Sequence, residues 1–217
     1  MQNKPVYYLQ DDPRWGSIIF SNHNDSSQTI ASSGCGATCM AMVLATFLDE
    51  NITPPDVAKV IVDNGYRTYD DGVDWAFFLF ASEYYGLEFK LTYSTDDVIE
   101  ALKNSALVIA SMGPGYFTNY GHYILLWGLD EVNERILVND PNSTVKTQAS
   151  YDLFREQSAN YFIFYEPEES QMAEQWKLDI IKEAKQAGLI TVDHDPDETA
   201  PKWFVLKVLL NALKTIK

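Results

Sequence analysis

Cysteine, histidine and basic residues are scarce in this 217-residue chain. It has two cysteines, Cys35 and Cys39, and three histidines, His23, His122 and His194. Two thiols four residues apart on one helix cannot reach disulfide geometry without unwinding a turn, which argues against a disulfide framework. They also fall short of the ligand set of a structural zinc site, and the histidines lack paired-ligand spacing, so no metal or cofactor is expected. Lys and Arg number 16 against 31 Asp and Glu, for a net charge of −15 and a pI near 4.4. Nucleic-acid binding needs a basic footprint, and an anionic membrane surface repels such a chain. Residues before Glu168 carry −13 of that charge, a surface that maintains solubility or favours neutral and cationic substrates.

Long apolar runs are also missing. None reaches the roughly 20 residues that span a bilayer. The opening stretch, MQNKPVYYLQDDPRWG, has neither an apolar core nor a small-residue cleavage site. The expectation is a chain made in the cytoplasm without a signal peptide or membrane insertion. What the sequence does have is 46% hydrophobic and 13% aromatic residues, enough for a sizeable core.

Residues 5–16 read as a short extended segment, followed by the polar loop SNHNDSSQTIASSG. GCGATCMAMVLATFLDEN then has helical spacing and reads as a buried helix opening at Ser33–Cys35. PPDVAKVIVDNG is a second helix, entered through Pro54 and Pro55 and closed by Gly65. DWAFFLFASEYYG is apolar nearly all round and should be well buried, and TDDVIEALKN is a short amphipathic helix capped at Thr95. The period then changes. ALVIASM, HYILLWGLD, RILVND and YFIFYEP are strand-like runs separated by turn residues. Helices first and an antiparallel sheet after them indicate an α+β domain over residues 1–167. Residues 168–217 form a separate segment with two amphipathic helices, a small helical module.

A cysteine nucleophile must be ionised at working pH, and a helix N-terminus favours the thiolate. Cys35 stands at such a place, between Gly34 and Gly36, which let a substrate carbonyl approach the backbone. A histidine must then reach the sulfur, with a third side chain to hold its ring. His122 opens a strand behind Gly121, which clears space before it, and Asp140 ends the following strand. Neighbouring antiparallel strands bring two such side chains together. An amide donor for the oxyanion is available in Gln10. Trp15 and Trp127 read as core residues, and each is also a candidate for lining the cleft, Trp15 as a substrate-binding residue. His23 and His194 read as loop residues, and the acidic pairs Asp11–Asp12 and Asp70–Asp71 as solvated turns.

LQDDPRWG, TIASSGCGATCMAMVL, GHYILLWG and NDPNS together resemble the cysteine peptidases related to the bacteriocin-processing, double-glycine peptidases. The resemblance implies a papain-like fold, with N-terminal helices packed on an antiparallel sheet. It places the site on Gln10, Cys35, His122 and Asp140, in that chain order. It also selects between the thiols: the reactive one lies between glycines, leaving Cys39 as a small buried hydrophobe. Ala37 departs from the family pattern, where many relatives have Pro.

The tail is similar, more loosely, to short helical modules on phage and bacterial cell-wall hydrolases. Leader-peptide processing peptidases are joined to a membrane-spanning transporter, which this sequence lacks. The expected function is therefore a peptidoglycan endopeptidase of phage-lysin type, reaching the wall after holin action or lysis. The alternatives are a peptidase acting on peptides or proteins, or a catalytically silent wall- or protein-binding module. Roles open to the module are wall binding and homo-oligomerisation through its helices. Asp193, Asp195 and Asp197 alternate like the start of a calcium loop, but Glu198 stands where the loop needs glycine.

Overall fold

A computed structural model of the chain describes residues 4–70, 72–167, 180–190 and 205. The chain divides into two compact units, Met1–Glu166 and Pro167–Lys217.

In the first unit the elements run α1 (Ile30–Ser33), α2 (Cys35–Phe47), α3 (Pro54–Asp63), α4 (Ala76–Tyr85), β1 (Glu88–Thr92) and α5 (Thr95–Lys103). They continue with β2 (Leu107–Met112), β3 (His122–Asp130), β4 (Arg135–Asn139), β5 (Gln148–Ser150), α6 (Tyr151–Gln157) and β6 (Ser158–Tyr165). Helix α3 starts where Pro54 fixes φ and the Thr53 N–H donates to Asp56 Oδ2 at 2.9 Å. Helix α4 ends at Gly86, whose φ of 69° is left-handed. Helix α5 is capped by Ser94, whose Oγ accepts from the Asp97 N–H, so the cap lies one residue before the expected Thr95.

The strands form one antiparallel sheet in the order β1-β6-β2-β3-β4-β5. Both of its faces are covered. Side chains alternate across the pleat, so Leu107, Ile109, Tyr123, Leu125, Phe162 and Phe164 join α2, α3 and α4 in one core. Their neighbours Val108, Ala110, Ile124, Leu126 and Ile163 join α5 and α6 in a second core. The fold is the expected papain-like α+β arrangement, with helices on the second face as well.

Helix α2 is the axis of the first core; of its 13 residues only Cys35 and Thr46 are not buried. Helix α4 departs from expectation. It buries Phe77, Phe78 and Ala81, but leaves Leu79 and Tyr84 exposed. The all-round apolar sequence hides a single packing face.

In the second unit, residues 180–186 are helical and end at Gly188, with φ 68° and the Leu189 N–H on the Ala184 carbonyl. Of the expected final helix only Val205 is described, in helical conformation, and the aspartates at 193, 195 and 197 lie outside the described residues. Among the described residues, no helix is long and apolar enough to cross a membrane.

Candidate active site

Cys35 is the first residue of α2, directly after the Gly34 that ends α1. The two helices meet so tightly that a Cβ at position 34 would lie 2.5 Å from the Ile30 carbonyl oxygen. A Cβ on Gly36 would sit 3.1 Å from both the Tyr123 ring and Val73. These glycines thus seat the helix end against α1 and β3, and both are buried. The first intrahelical bond runs from the Thr38 N–H to the Gly34 carbonyl at 2.9 Å. The amides ahead of it point out of the helix end and create a positive potential at the sulfur.

His122 is the first residue of β3 and faces Met112 of β2. Strand β4 pairs with β3 so that Asn139 faces Leu125, which carries the next residue, Asp140, to the same end of the sheet. His122 Nε2 and Asp140 Oδ1 are 2.7 Å apart. Their side chains are only 8% and 1% exposed, so water does not compete for this bond. The Asn142 N–H donates to the same carboxylate oxygen at 2.9 Å. With Nε2 engaged, the imidazole meets the Cys35 sulfur through Nδ1.

The N-terminal segment fixes the Asp140 turn from outside. The Tyr7 hydroxyl lies 2.8 Å from the Asp140 carbonyl and 3.0 Å from that of Ser143, sharing its hydrogen between them. The Gln10 N–H donates to the Pro141 carbonyl at 2.8 Å. Nothing in the local sequence marks Tyr7 for this task, since an aromatic in an extended segment reads as a core residue.

Burial pushes the Cys35 thiol up, but hydrogen bonding and charge from His122, with the amides of Tyr123 and Gly36, outweigh it and hold the pKa below the ordinary value. Burial pulls His122 down, yet its bonds to Asp140 and Cys35 raise it to about 9. A thiolate facing an imidazolium is the favoured state of this pair. Cys39 is the opposite case. It is fully buried, and burial with the nearby charges of Cys35 and Asp140 pushes its thiol well up. It is held neutral and inert.

Gln10 is 4% exposed, and its Nε2 donates to the Ala31 carbonyl of α1 at 2.6 Å. That bond uses one amide hydrogen and orients the other. Trp15 corrects an expectation: it is 3% exposed, with its indole N–H on the Leu9 carbonyl at 2.8 Å. It supports the Gln10 segment from the core and presents no surface to a cleft. Gly121 has open space where a Cβ would project, so nothing here crowds out a side chain. Trp127 borders a cavity of about 630 Å³ with Leu102, Lys103 and Leu137, at the end of β3 remote from His122.

The family model described as "Peptidase_C39 like family" matches residues 17–174. That span holds Cys35, His122 and Asp140 and begins after Gln10. No curated protein matches. Among solved structures, the chain is similar to the peptidase domain of Streptococcus ComA, a bi-functional ABC transporter involved in a quorum-sensing pathway. Identity is 19% and the TM-score 0.45, over 61% of this chain and 93% of that one. The peptidase domain of Streptococcus mutans ComA gives 16% identity and a TM-score of 0.42, over 62% and 93% of the two chains.

Proposed function

The chain belongs to the Peptidase_C39 like family and is a cysteine peptidase, and on that premise we propose that Cys35 attacks peptide bonds of peptidoglycan. The observation that carries the nucleophile assignment is the Cys35–His122–Asp140 chain, with its lowered thiol and raised imidazole.

In this reaction the Cys35 thiolate adds to the scissile carbonyl carbon. The negative charge passes to the carbonyl oxygen, where the second N–H of Gln10 and the free backbone N–H of Cys35 receive it. His122, protonated at Nδ1, gives that proton to the leaving amine as the carbon–nitrogen bond breaks and a thioester forms. The neutral imidazole then takes a proton from water, whose oxygen attacks the thioester and frees Cys35. Asp140 keeps the ring oriented through Nε2 and stabilises its charged form.

The wall substrate is supported by the second unit, Pro167–Lys217, whose sequence resembles helical modules of cell-wall hydrolases. The test is incubation of the full chain with isolated Gram-positive walls. The expected result is falling turbidity with new free amino groups, abolished by Cys35→Ala. If both forms leave walls intact while the native form cleaves soluble peptides, the substrate is peptide and the wall assignment is withdrawn.

A further inference from the structure

A second set of polar groups lies beside the catalytic cysteine and has no part in the mechanism. Register places Ser111 of β2 opposite Tyr123 of β3 on one side and Asn160 of β6 on the other. Facing residues on adjacent strands are about 5 Å apart, so Asn160 lies roughly 10 Å from Tyr123. Pleat alternation turns all three toward the α2 face, in line with Ile109 and Phe162. This is the end of the sheet where Tyr123 gives its amide to the Cys35 sulfur and its ring packs under Gly36.

Around these groups the packing is aromatic. Phe78 packs on Tyr123 at 5.1 Å and on Phe162 at 4.2 Å. The Tyr123 hydroxyl donates to the Val73 carbonyl at 3.0 Å and is bonded by Trp75, which is 47% exposed at the rim. Asn160 itself is 1% exposed, and neither its Nδ2 nor its Oδ1 has a partner among the described residues. A buried amide with donor and acceptor both unpaired costs about 1–3 kcal/mol for each group. A residue serving only to fill this position would be apolar, as its neighbours are. Asn160 is thus open to a partner beyond the described residues, one that offers an acceptor and a donor together.

We propose that Ser111 and Asn160 form the floor of a substrate side-chain subsite beside Cys35, and that this subsite takes a primary carboxamide. A carboxamide pairs with the Asn160 amide through two complementary hydrogen bonds, and Ser111 adds a hydroxyl. Trp75 at the rim and Tyr123, backed by the buried Phe78, border the aliphatic stem. A carboxylate would lack the donor, and an aliphatic side chain would leave the amide unpaired. This inference rests on Cys35 being the nucleophile.

The experiment uses the full chain and peptidyl chloromethyl ketones that differ only in one side chain near the warhead: Gln, Glu, Leu or Lys, placed in turn at each of two positions. Inactivation rates are read for the native protein, Asn160→Leu and Asn160→Asp, with methyl methanethiosulfonate as a thiol probe lacking both a side chain and a carboxamide. The expected result is that, at one position, the Gln probe inactivates the native protein at least tenfold faster than the Glu or Leu probe. Asn160→Leu should bring the Gln rate down to the Leu rate, and Asn160→Asp should shift the preference to Lys. The methyl methanethiosulfonate rate, set by the thiolate, should stay alike in all three. Fast inactivation with the same probe ranking in native protein and Asn160→Leu overturns the subsite alone, and ordered water then completes the amide. If methyl methanethiosulfonate and every probe react with Cys35 no faster than with a thiol in an unfolded peptide, the nucleophile assignment falls, and the subsite with it.

Discussion

The two cysteines differ by one helical turn and by everything that governs thiol chemistry. Cys35 has an imidazole and two amide donors that hold its pKa down, whereas Cys39 has only burial and negative neighbours that push it up. The glycine flanks in the sequence select the right thiol, but the partner distances come only from folding. The pH dependence follows from the directions of the shifts. The thiolate–imidazolium pair exists above the lowered Cys35 pKa and below the His122 value of about 9. Activity should therefore rise with pH from below the ordinary thiol range and fall as pH passes about 9, a bell measured as kcat/KM. The stability linked to His122 has the same upper limit. Its folded pKa lies above the ordinary value of 6.5, so the contribution is complete below that pH and is lost as pH rises through about 9. Asp140→Asn removes a group that raises His122, so the alkaline limb should move to lower pH. With the ring less well oriented, kcat/KM should drop by roughly 10²–10⁴-fold. An unmoved alkaline limb would mean that Asp140 does not support the imidazolium.

Elements differed in how plainly their sequences announced them. Helix α2 and the β3–β4 hairpin were legible because helical period, strand alternation and turn residues agree there. Strand β1 was not, since EFKLT at the sheet edge buries one residue of five and shows no alternation. Helix α6 buries only Phe154, and β5 has three residues, too few for a period to show. Polar Ser111 and Asn160 stood in plain view within apolar strands, but their isolation becomes evident only once the registers bring them onto one rung. Two junctions offer direct tests. Gly34→Ala would drive a Cβ into the Ile30 carbonyl, and shifting α1 against α2 should destabilise the protein by about 1–3 kcal/mol, read as a lower Tm. Tyr7→Phe deletes the hydroxyl that holds the Asp140 turn. It should lose about 1 kcal/mol in denaturant unfolding and reduce kcat more than it changes KM. Equal changes in both constants would detach Tyr7 from the chemistry.

At the scale of the whole molecule, both cores draw their residues, among those described, from the first unit. A chain ending at Glu166 should unfold in one cooperative transition and retain pH-shifted labelling of Cys35. Its binding to isolated walls, followed by sedimentation, should be at least tenfold weaker if the second unit is the wall anchor. The helix-then-strand order made the α+β class readable, whereas the strand order within the sheet left no trace in local sequence. That order has a consequence for biosynthesis. Strand β6, the last of the sheet to leave the ribosome, lies between β1 and β2, and the Asp140 turn is latched by Tyr7, 133 residues earlier in the chain. Such distant pairings slow folding, because a long loop must close before the contacts that reward it can form. A growing polypeptide therefore carries Cys35 through most of its synthesis without a completed sheet behind His122. The site is thus completed only after β6 has been made, late in the synthesis of the first unit.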